Sequence, residues 1–400
     1  MLSHSIVISC IHSILTAIGF PMHRRNFIAA SAAAAAGLGH LPFASAAENG
    51  VTDTEIVLGH TGILSGPLGV PVKVVMAGAG LAFDAVNAQG GLSGRKIRVV
   101  SLDDELKPEK ALANYEKLLA EHRAFAFFGC VGSGTTAAGA KVVNQSGAPT
   151  VGGYAVSDSA REKMGAAGYF VRATFAREAQ ALVQHLTTIG VSRIAVAYLD
   201  NPGGAEVAKL VEAALDGLKL KPEAAVAVKG DGTSNEASGK ALAESKAQAV
   251  IMYLGGGIGG EVMKAAWTAG GRQMYYGMSI VPGDVTAKLV GDKTSGLAIS
   301  QIVPYPWSEV DASAREFRQL AERAKVDQGY LAYEGYVNAL VMIEGLRRTG
   351  RDLTRARLHA ALKAMKLRIG NMDIDFTGAS NTGSRFIEMV RVTKDGKFIR

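Results

Sequence analysis

The sequence predicts an α/β chain folded as two doubly wound lobes, each a parallel sheet with helices on both faces. Three observations carry this. Short continuous apolar runs alternate with amphipathic stretches, the pattern of strands buried on both faces between covering helices. The alternation runs twice, with a break near Phe175. At 400 residues and 48% hydrophobic content, the chain has the length and apolar mass for two or three domains.

In the first series Glu55–Leu58 reads as a strand and Val74–Asn87 as a helix with small and apolar residues on one face. Lys96–Leu102 is a strand. Pro108–Glu121 is a helix with proline in its first turn, where a missing N–H is harmless. Phe125–Phe128, Thr135–Gln145 and Pro149–Val151 follow as strand, helix and strand. In the second series the strands are Arg193–Tyr198, Ala224–Val228, Ala249–Leu254 and Gln273–Tyr276, and the helices Gly204–Leu218, Glu236–Lys246 and Glu261–Ala269. From Ala312 the tail reads as mostly helical and closes in a β-pair, Met372–Phe376 with Arg385–Val392. Ligands of open α/β sheets bind beyond the carboxyl ends of the strands, so the loops after each strand are the place for a site.

Residues 1–47 read as an export address. Arg24 and Arg25 precede an apolar, small-residue stretch from Phe27 to Leu41, and Ala44-Ser45-Ala46-Ala47 supplies a cleavage pattern near Ala46/Ala47. Arg24-Arg25-x-Phe27-Ile28 also resembles the twin-arginine export motif. Met22 is the expected true start, because Leu2–Phe20 is apolar but has no charged leader. After the export segment no run approaches the ~18 uninterrupted apolar residues of a spanning helix. The expected product is an exported, unanchored protein.

The net charge of +7 is spread through the chain without a basic cluster, and aromatics are 6%, so nucleic acid is not an expected partner. The two cysteines are Cys10, inside the export segment, and Cys130, expected to be buried and structural. That excludes a disulfide framework and a zinc cluster.

Several motifs fail on inspection. Gly255–Gly260 satisfies G-x-G-x-x-G after a strand, but the next strand ends Tyr275-Tyr276-Gly277 with no acid for a ribose, so a permissive turn facing a cleft is preferred. Gly134-x-x-x-x-Gly139-Ala140-Lys141 lacks the lysine directly after the second glycine that a phosphate loop needs. The Asp103-Asp104 pair reads as a strand-end cap for the loop before Pro108. No catalytic constellation, metal site or cofactor site stands out.

Gly62-Ile-Leu-Ser-Gly-Pro-Leu-Gly69, Asn87-Ala-Gln-Gly-Gly-Leu-Ser-Gly94, Leu102-Asp-Asp104 with Pro108, Ser133-Gly134-Thr135-Thr136 and Gly147-Ala148-Pro149 occur in an order and spacing that resemble the leucine/isoleucine/valine-binding protein family. These are type I periplasmic solute-binding proteins of ABC importers. The resemblance covers most of 53–400 and is strongest from Glu55 to Thr150. It implies a flytrap with three crossover segments, near Thr174, Gln301 and Arg385. Lobe one would be 48–174 plus 302–384, and lobe two 175–301 plus 385–400. It implies a small carboxylate or amino-acid ligand held between the lobes, a membrane permease as partner, a monomer, a periplasmic location and no enzymatic chemistry.

The resemblance also implies the site. Ser133, Gly134 and Thr135, at a helix start, would hold the carboxylate, as free N–H groups and the helix dipole suit an anion. A plain helix cap is the alternative reading of that Ser/Thr pair. Tyr154, Ala155 and Val156, in the turn after Pro149, match ligand-facing positions, although Val156 replaces a hydroxyl-bearing threonine. Gly203 stands where the family commonly has a tyrosine. Tyr253 lies near a position whose aromatic ring covers the ligand, or else is a core strand residue. Ser279 stands where an acid pairs the ligand's ammonium. A buried ammonium without a carboxylate is costly, so either another acid reaches in or the ligand lacks that group. The expected ligand is a small carboxylate, aromatic or keto acid, ahead of a branched-chain amino acid. A ligand sensor of the same fold is the alternative function, and a secreted enzyme using Asp103 and Asp104 a weaker one.

Overall fold

A computed structural model describes residues 48–294 and 296–400, and Glu48–Arg400 form one compact unit. The export segment, with Met22, Arg24, Arg25, the Ala46/Ala47 position and Cys10, lies outside the described residues.

The first half runs β1 (Glu55–Gly62), α1 (Gly66–Ala88), β2 (Lys96–Asp103), α2 (Pro108–Ala120), β3 (Ala126–Val131), α3 (Ser133–Ser146), β4 (Thr150–Tyr154), α4 (Asp158–Met164) and β5 (Gly168–Tyr169). Its strands form an all-parallel sheet in the order β2-β1-β3-β4-β5. The second half runs α5 (Phe175–Thr188), β6 (Ile194–Leu199), α6 (Pro202–Asp216), β7 (Ala225–Val228), α7 (Asn235–Glu244), β8 (Ala249–Tyr253), α8 (Ile258–Thr268), β9 (Met274–Gly277), α9 (Gly283–Val290) and β10 (Leu297–Gln301). The tail adds α10 (Ala312–Ala324), α11 (Tyr330–Thr349), α12 (Arg355–Lys363), β11 (Lys366–Ile369), β12 (Met372–Asp375), β13 (Glu388–Val392) and β14 (Phe398–Ile399).

The second sheet has the order β14-β13-β10-β9-β8-β6-β7. Strands β6 to β10 are parallel, and β13 and β14 extend the sheet antiparallel to β10. The chain therefore passes between the two sheets three times: after β5, after β10 into the helices that pack on α1, and before β13.

Three expectations change. The tail's β-pair is not a pair: β12 forms a hairpin with β11, whereas β13 lies on β10. The turn at Gly370 (φ 58°) closes that hairpin locally, which leaves the later segment free to join the larger sheet. Helix α1 begins at Gly66, eight residues before the expected Val74: Gly66, Pro67, Gly69 and Pro71 read as turn residues, but Pro67 sits in the first turn, where its missing N–H is harmless, and the helix carries Pro71 in its interior. Helix α5, with Phe175, Ala179, Leu182, Val183 and Leu186 on its buried face, fills the stretch after the break near Phe175.

Helix α1 crosses α11 with almost no separation. A Cβ at Gly78 would run into the Ala332 carbonyl, and one at Gly335 into the Val75 carbonyl. Two glycines thus let the helix backbones touch, and the buried faces of α11 and α1 join β1, β3 and β4 in the main core.

Candidate functional site

The parallel strands of the two sheets share one topology. In the first, β1 is flanked by β2 and β3; in the second, β6 is flanked by β7 and β8. The strand order reverses at β1/β3 and at β6/β8, and such switch points open a crevice beyond the strand ends. Here the two crevices face each other. A cavity of about 160 Å³ is lined by Ile63 after β1 and Gly132–Thr135 after β3, and on the opposite side by Leu199, Asn201 and Gly203 around the end of β6 and Tyr253 and Gly255 at the end of β8.

The anchor of this cavity is the start of α3. The residue preceding the helix is Gly132, at φ 79°, which has no side chain to cap it. Ser133 is the first helical residue and its hydroxyl is used elsewhere: it donates to the Ala155 carbonyl (3.3 Å) and accepts from the Ser157 N–H (3.0 Å). The Thr135 hydroxyl bonds back to Val131 O and Gly132 O. The N–H groups of Ser133, Gly134 and Thr135 have no acceptor among the described residues. The plain-cap reading of Ser133 and Thr135 is therefore not what the backbone does. Three amides and the positive end of a 14-residue helix are left facing the cavity.

The walls are apolar. Leu68, Pro71 and Val72 from α1, Leu106, Pro108, Val131, Tyr154 and Ile280 surround the anchor, and none of the lining side chains is charged. Ala155 holds φ 55°, a left-handed conformation that is uncommon for a residue with a Cβ and marks local strain. The Tyr154 hydroxyl donates to Ile280 O (3.3 Å). Tyr253 packs edge-on against Phe175, with ring centroids 5.0 Å apart, and its hydroxyl has no partner among the described residues. It is both a core tyrosine and a cavity wall.

Asp103 and Asp104 cap the loop before Pro108, as the sequence suggests. Asp103 accepts from the Leu64 and Glu105 N–H groups, both at 2.9 Å. Asp104 accepts from Leu106 N–H (2.9 Å) and the Thr61 hydroxyl (3.1 Å). They hold Glu105 and Leu106 in left-handed conformations and so aim Leu106 into the cavity. Burial pushes the Asp104 carboxyl up to about 6.

Seven of the nine expected residues, Ser133, Gly134, Thr135, Tyr154, Ala155, Gly203 and Tyr253, line this cavity. Val156 does not: its side chain packs among Cys130, Ala160 and Phe170, and its carbonyl accepts from Arg161 Nε (3.2 Å). Ser279 does not line it either. It joins a buried ionic cluster instead, one that no short sequence motif marks. Arg172 pairs with Glu178 (3.0 Å) and Glu334 (3.2 Å) and bonds Ser279 Oγ. Glu178 accepts from Ser279 N–H (2.8 Å), Ser279 Oγ (2.9 Å) and Ser300 Oγ (2.8 Å). An acid does reach the Ser279 position, but it is already matched by Arg172 and two hydroxyls. The signal was present: Glu178 falls on the buried face of α5, where an unpaired charge is costly. Burial pushes the Glu334 carboxyl up to about 6 against the pull of Arg172.

Cys130 is buried and free, and burial pushes its thiol up to about 11. The Gly255–Gly260 segment faces the cleft: Gly256, at φ 59°, lies beside Pro67 O and Leu68 of α1.

The chain belongs to the periplasmic binding protein family of the leucine/isoleucine/valine-binding type, which it matches over residues 55–397. A substrate-binding periplasmic protein from Ralstonia solanacearum has the same fold, with a TM-score of 0.80 and 27% identity, over 86% of this chain and 99% of that one. A solute-binding protein of an ABC transporter from R. palustris, solved in complex with benzoate, shares the fold at a TM-score of 0.74 and 18% identity, over 86% of this chain and 95% of that one. An amino acid binding protein from Pseudomonas aeruginosa is 30% identical over 93 residues, 23% of this chain. The match spans a quarter of that relative's length (25%).

Proposed function

We propose that the chain is the extracytoplasmic solute-binding component of an ABC importer, and that it takes a small apolar monocarboxylate, an aromatic or keto acid, and delivers it to a membrane permease. The observation that carries this is the set of three unpartnered amides at Ser133, Gly134 and Thr135, opening into a cavity with no charged side chain. A carboxylate gains hydrogen bonds and the helix dipole there. An α-ammonium would meet no carboxylate, because Glu178 is held by Arg172, Ser279 and Ser300.

The size agrees. A dry apolar cavity of about 150 Å³ holds one benzene ring, and this one measures about 160 Å³. The R. palustris protein of the same fold holds benzoate. In the proposed cycle the ligand docks on α3, the lobes close, and Gly203 and Tyr253 come over it. Closure turns about three crossover segments near Thr174, Gln301 and Arg385, the hinge motion known for such receptors. Export through 1–47 would bring the monomer to its permease.

The test is thermal unfolding of the exported protein against benzoate-like acids, keto acids and branched-chain amino acids. Ligand at 100 times its Kd adds about 2.7 kcal/mol to stability. The reading expects a raised midpoint with acids that lack the amine. If only leucine, isoleucine or valine raises it, the ligand is an amino acid, as the name of the P. aeruginosa relative suggests, and the monocarboxylate assignment fails.

A further inference from the structure

A second chamber lies beside the first on the other side of the α1 start, and Pro71 lines both. It measures about 280 Å³. Helix α1 of the first half, the second sheet with its loops, and the tail enclose it, so it too lies between the two halves. Its chemistry is opposite to that of the first cavity.

One wall is aromatic. Trp307 stacks on Phe398 (5.5 Å between centroids, 18° between planes), and Tyr330 meets both rings edge-on at 5.6 and 5.2 Å. All three line the chamber. Two carboxylates, Asp284 in the first turn of α9 and Asp327 before α11, line it as well, and neither forms an ion pair with a described residue. No lysine or arginine is among the lining residues. Burial and the negative charge of Asp284 both push the Asp327 carboxyl upward, opposed by its bond from Gly329 N–H and by Lys288, which lies outside the lining. A further polar group faces the chamber. Gln301 lines it with a side-chain amide that forms no hydrogen bond with a described residue, and the Tyr330 hydroxyl is buried with no partner among them. A buried hydroxyl without a partner is costly unless something binds it.

We propose that this chamber is a separate binding site for a hydrophobic organic ammonium ion. The aromatic faces attract the cationic head and cover its apolar body. The two carboxylates balance its charge, and the Gln301 carbonyl oxygen accepts one N–H. Because both lobes supply the walls, occupancy favours the closed form. The proposal does not depend on the monocarboxylate reading of the first cavity.

Trp307 reports on the site directly. The chain has two tryptophans, and the other, Trp267, sits on α8 beside Tyr275. In a Trp267→Phe protein, benzylamine at neutral pH is expected to change fluorescence saturably, and its neutral isostere benzyl alcohol to do so at least about tenfold more weakly. The double variant Asp284→Asn, Asp327→Asn is expected to weaken benzylamine about tenfold and leave the response to benzoate-like acids unchanged. Calorimetry on the protein with both tryptophans reads the same binding if Trp267→Phe does not fold. Three results overturn the proposal: no saturable binding of benzylamine, equal binding of benzyl alcohol, or displacement of benzylamine by benzoate, which would put it in the first cavity. Absence of benzoate binding with benzylamine still bound would instead remove the monocarboxylate reading alone.

Discussion

A Cβ placed on Gly203 would stand 2.5 Å from Ser133 Oγ, so the start of α6 and the start of α3 approach across the cleft as closely as a hydrogen atom on each permits. The lack of a side chain at Gly203 lets the second sheet's loop lie directly over the anchor.

Gly203→Val is therefore expected to hold the cleft ajar. Overpacking of this kind costs about 1–3 kcal/mol, which here falls on the closed, ligand-bound form and should weaken ligand affinity about fivefold to a hundredfold. The unfolding midpoint without ligand should move little. Ser133→Gly removes the obstructing hydroxyl, so titration of the double variant should recover part of the lost affinity.

The Arg172 cluster ties α11 to α5 and to the ends of β9 and β10. Arg172→Met leaves two buried carboxylates, Glu178 and Glu334, without their cation. Breaking a buried pair in this way costs about 3–5 kcal/mol. Urea unfolding at neutral pH should show a loss of that order, whereas removal of an exposed pair such as Arg98–Glu55 should cost under about 1 kcal/mol.

Asp104 predicts a pH dependence with a definite sign. Its folded carboxyl titrates at about 6, above the ordinary value of 3.8, because it is buried. The folded chain binds that proton more tightly than the unfolded chain, so its contribution to stability declines as pH rises from about 4 to 6 and is flat above. Asp104→Asn keeps an acceptor for Leu106 and Thr61 and cannot titrate. The midpoint of the variant should gain on that of the unmodified protein across this window.

Cys130 should resist iodoacetamide in the folded protein at pH 8, since its thiol is buried and titrates at about 11. Labelling should follow global unfolding in denaturant. Rapid labelling under native conditions would contradict the burial of β3.

The alternation of β1 to β4 with their helices was legible because parallel strands buried on both faces are continuously apolar. The tail was less so. Met372–Phe376 and Arg385–Val392 both read as strands, but which neighbour each pairs with depends on the turn at Gly370 and on an open edge at β10, and neither is written in local pattern. The anchor at Ser133 was legible by resemblance, yet its mechanism was not: the sequence suggested hydroxyl donors, and the backbone shows bare amides after an uncapping Gly132. Ser279 was read as a missing acid. The acid that serves it, Glu178, is 101 residues away in sequence, and only the fold brings the two together.

The anchor of the first cavity has one more consequence. Peptide N–H groups do not titrate, and no side chain lining that cavity carries a charge. If the proposed monocarboxylate is held there, the groups that touch it have no protonation state of their own to lose. Outside the cytoplasm the acidity of the medium is set by the surroundings. Under that reading the direct contact to the anion would change where the ligand itself picks up a proton, and otherwise only through groups behind the wall, such as Asp104 under Leu106.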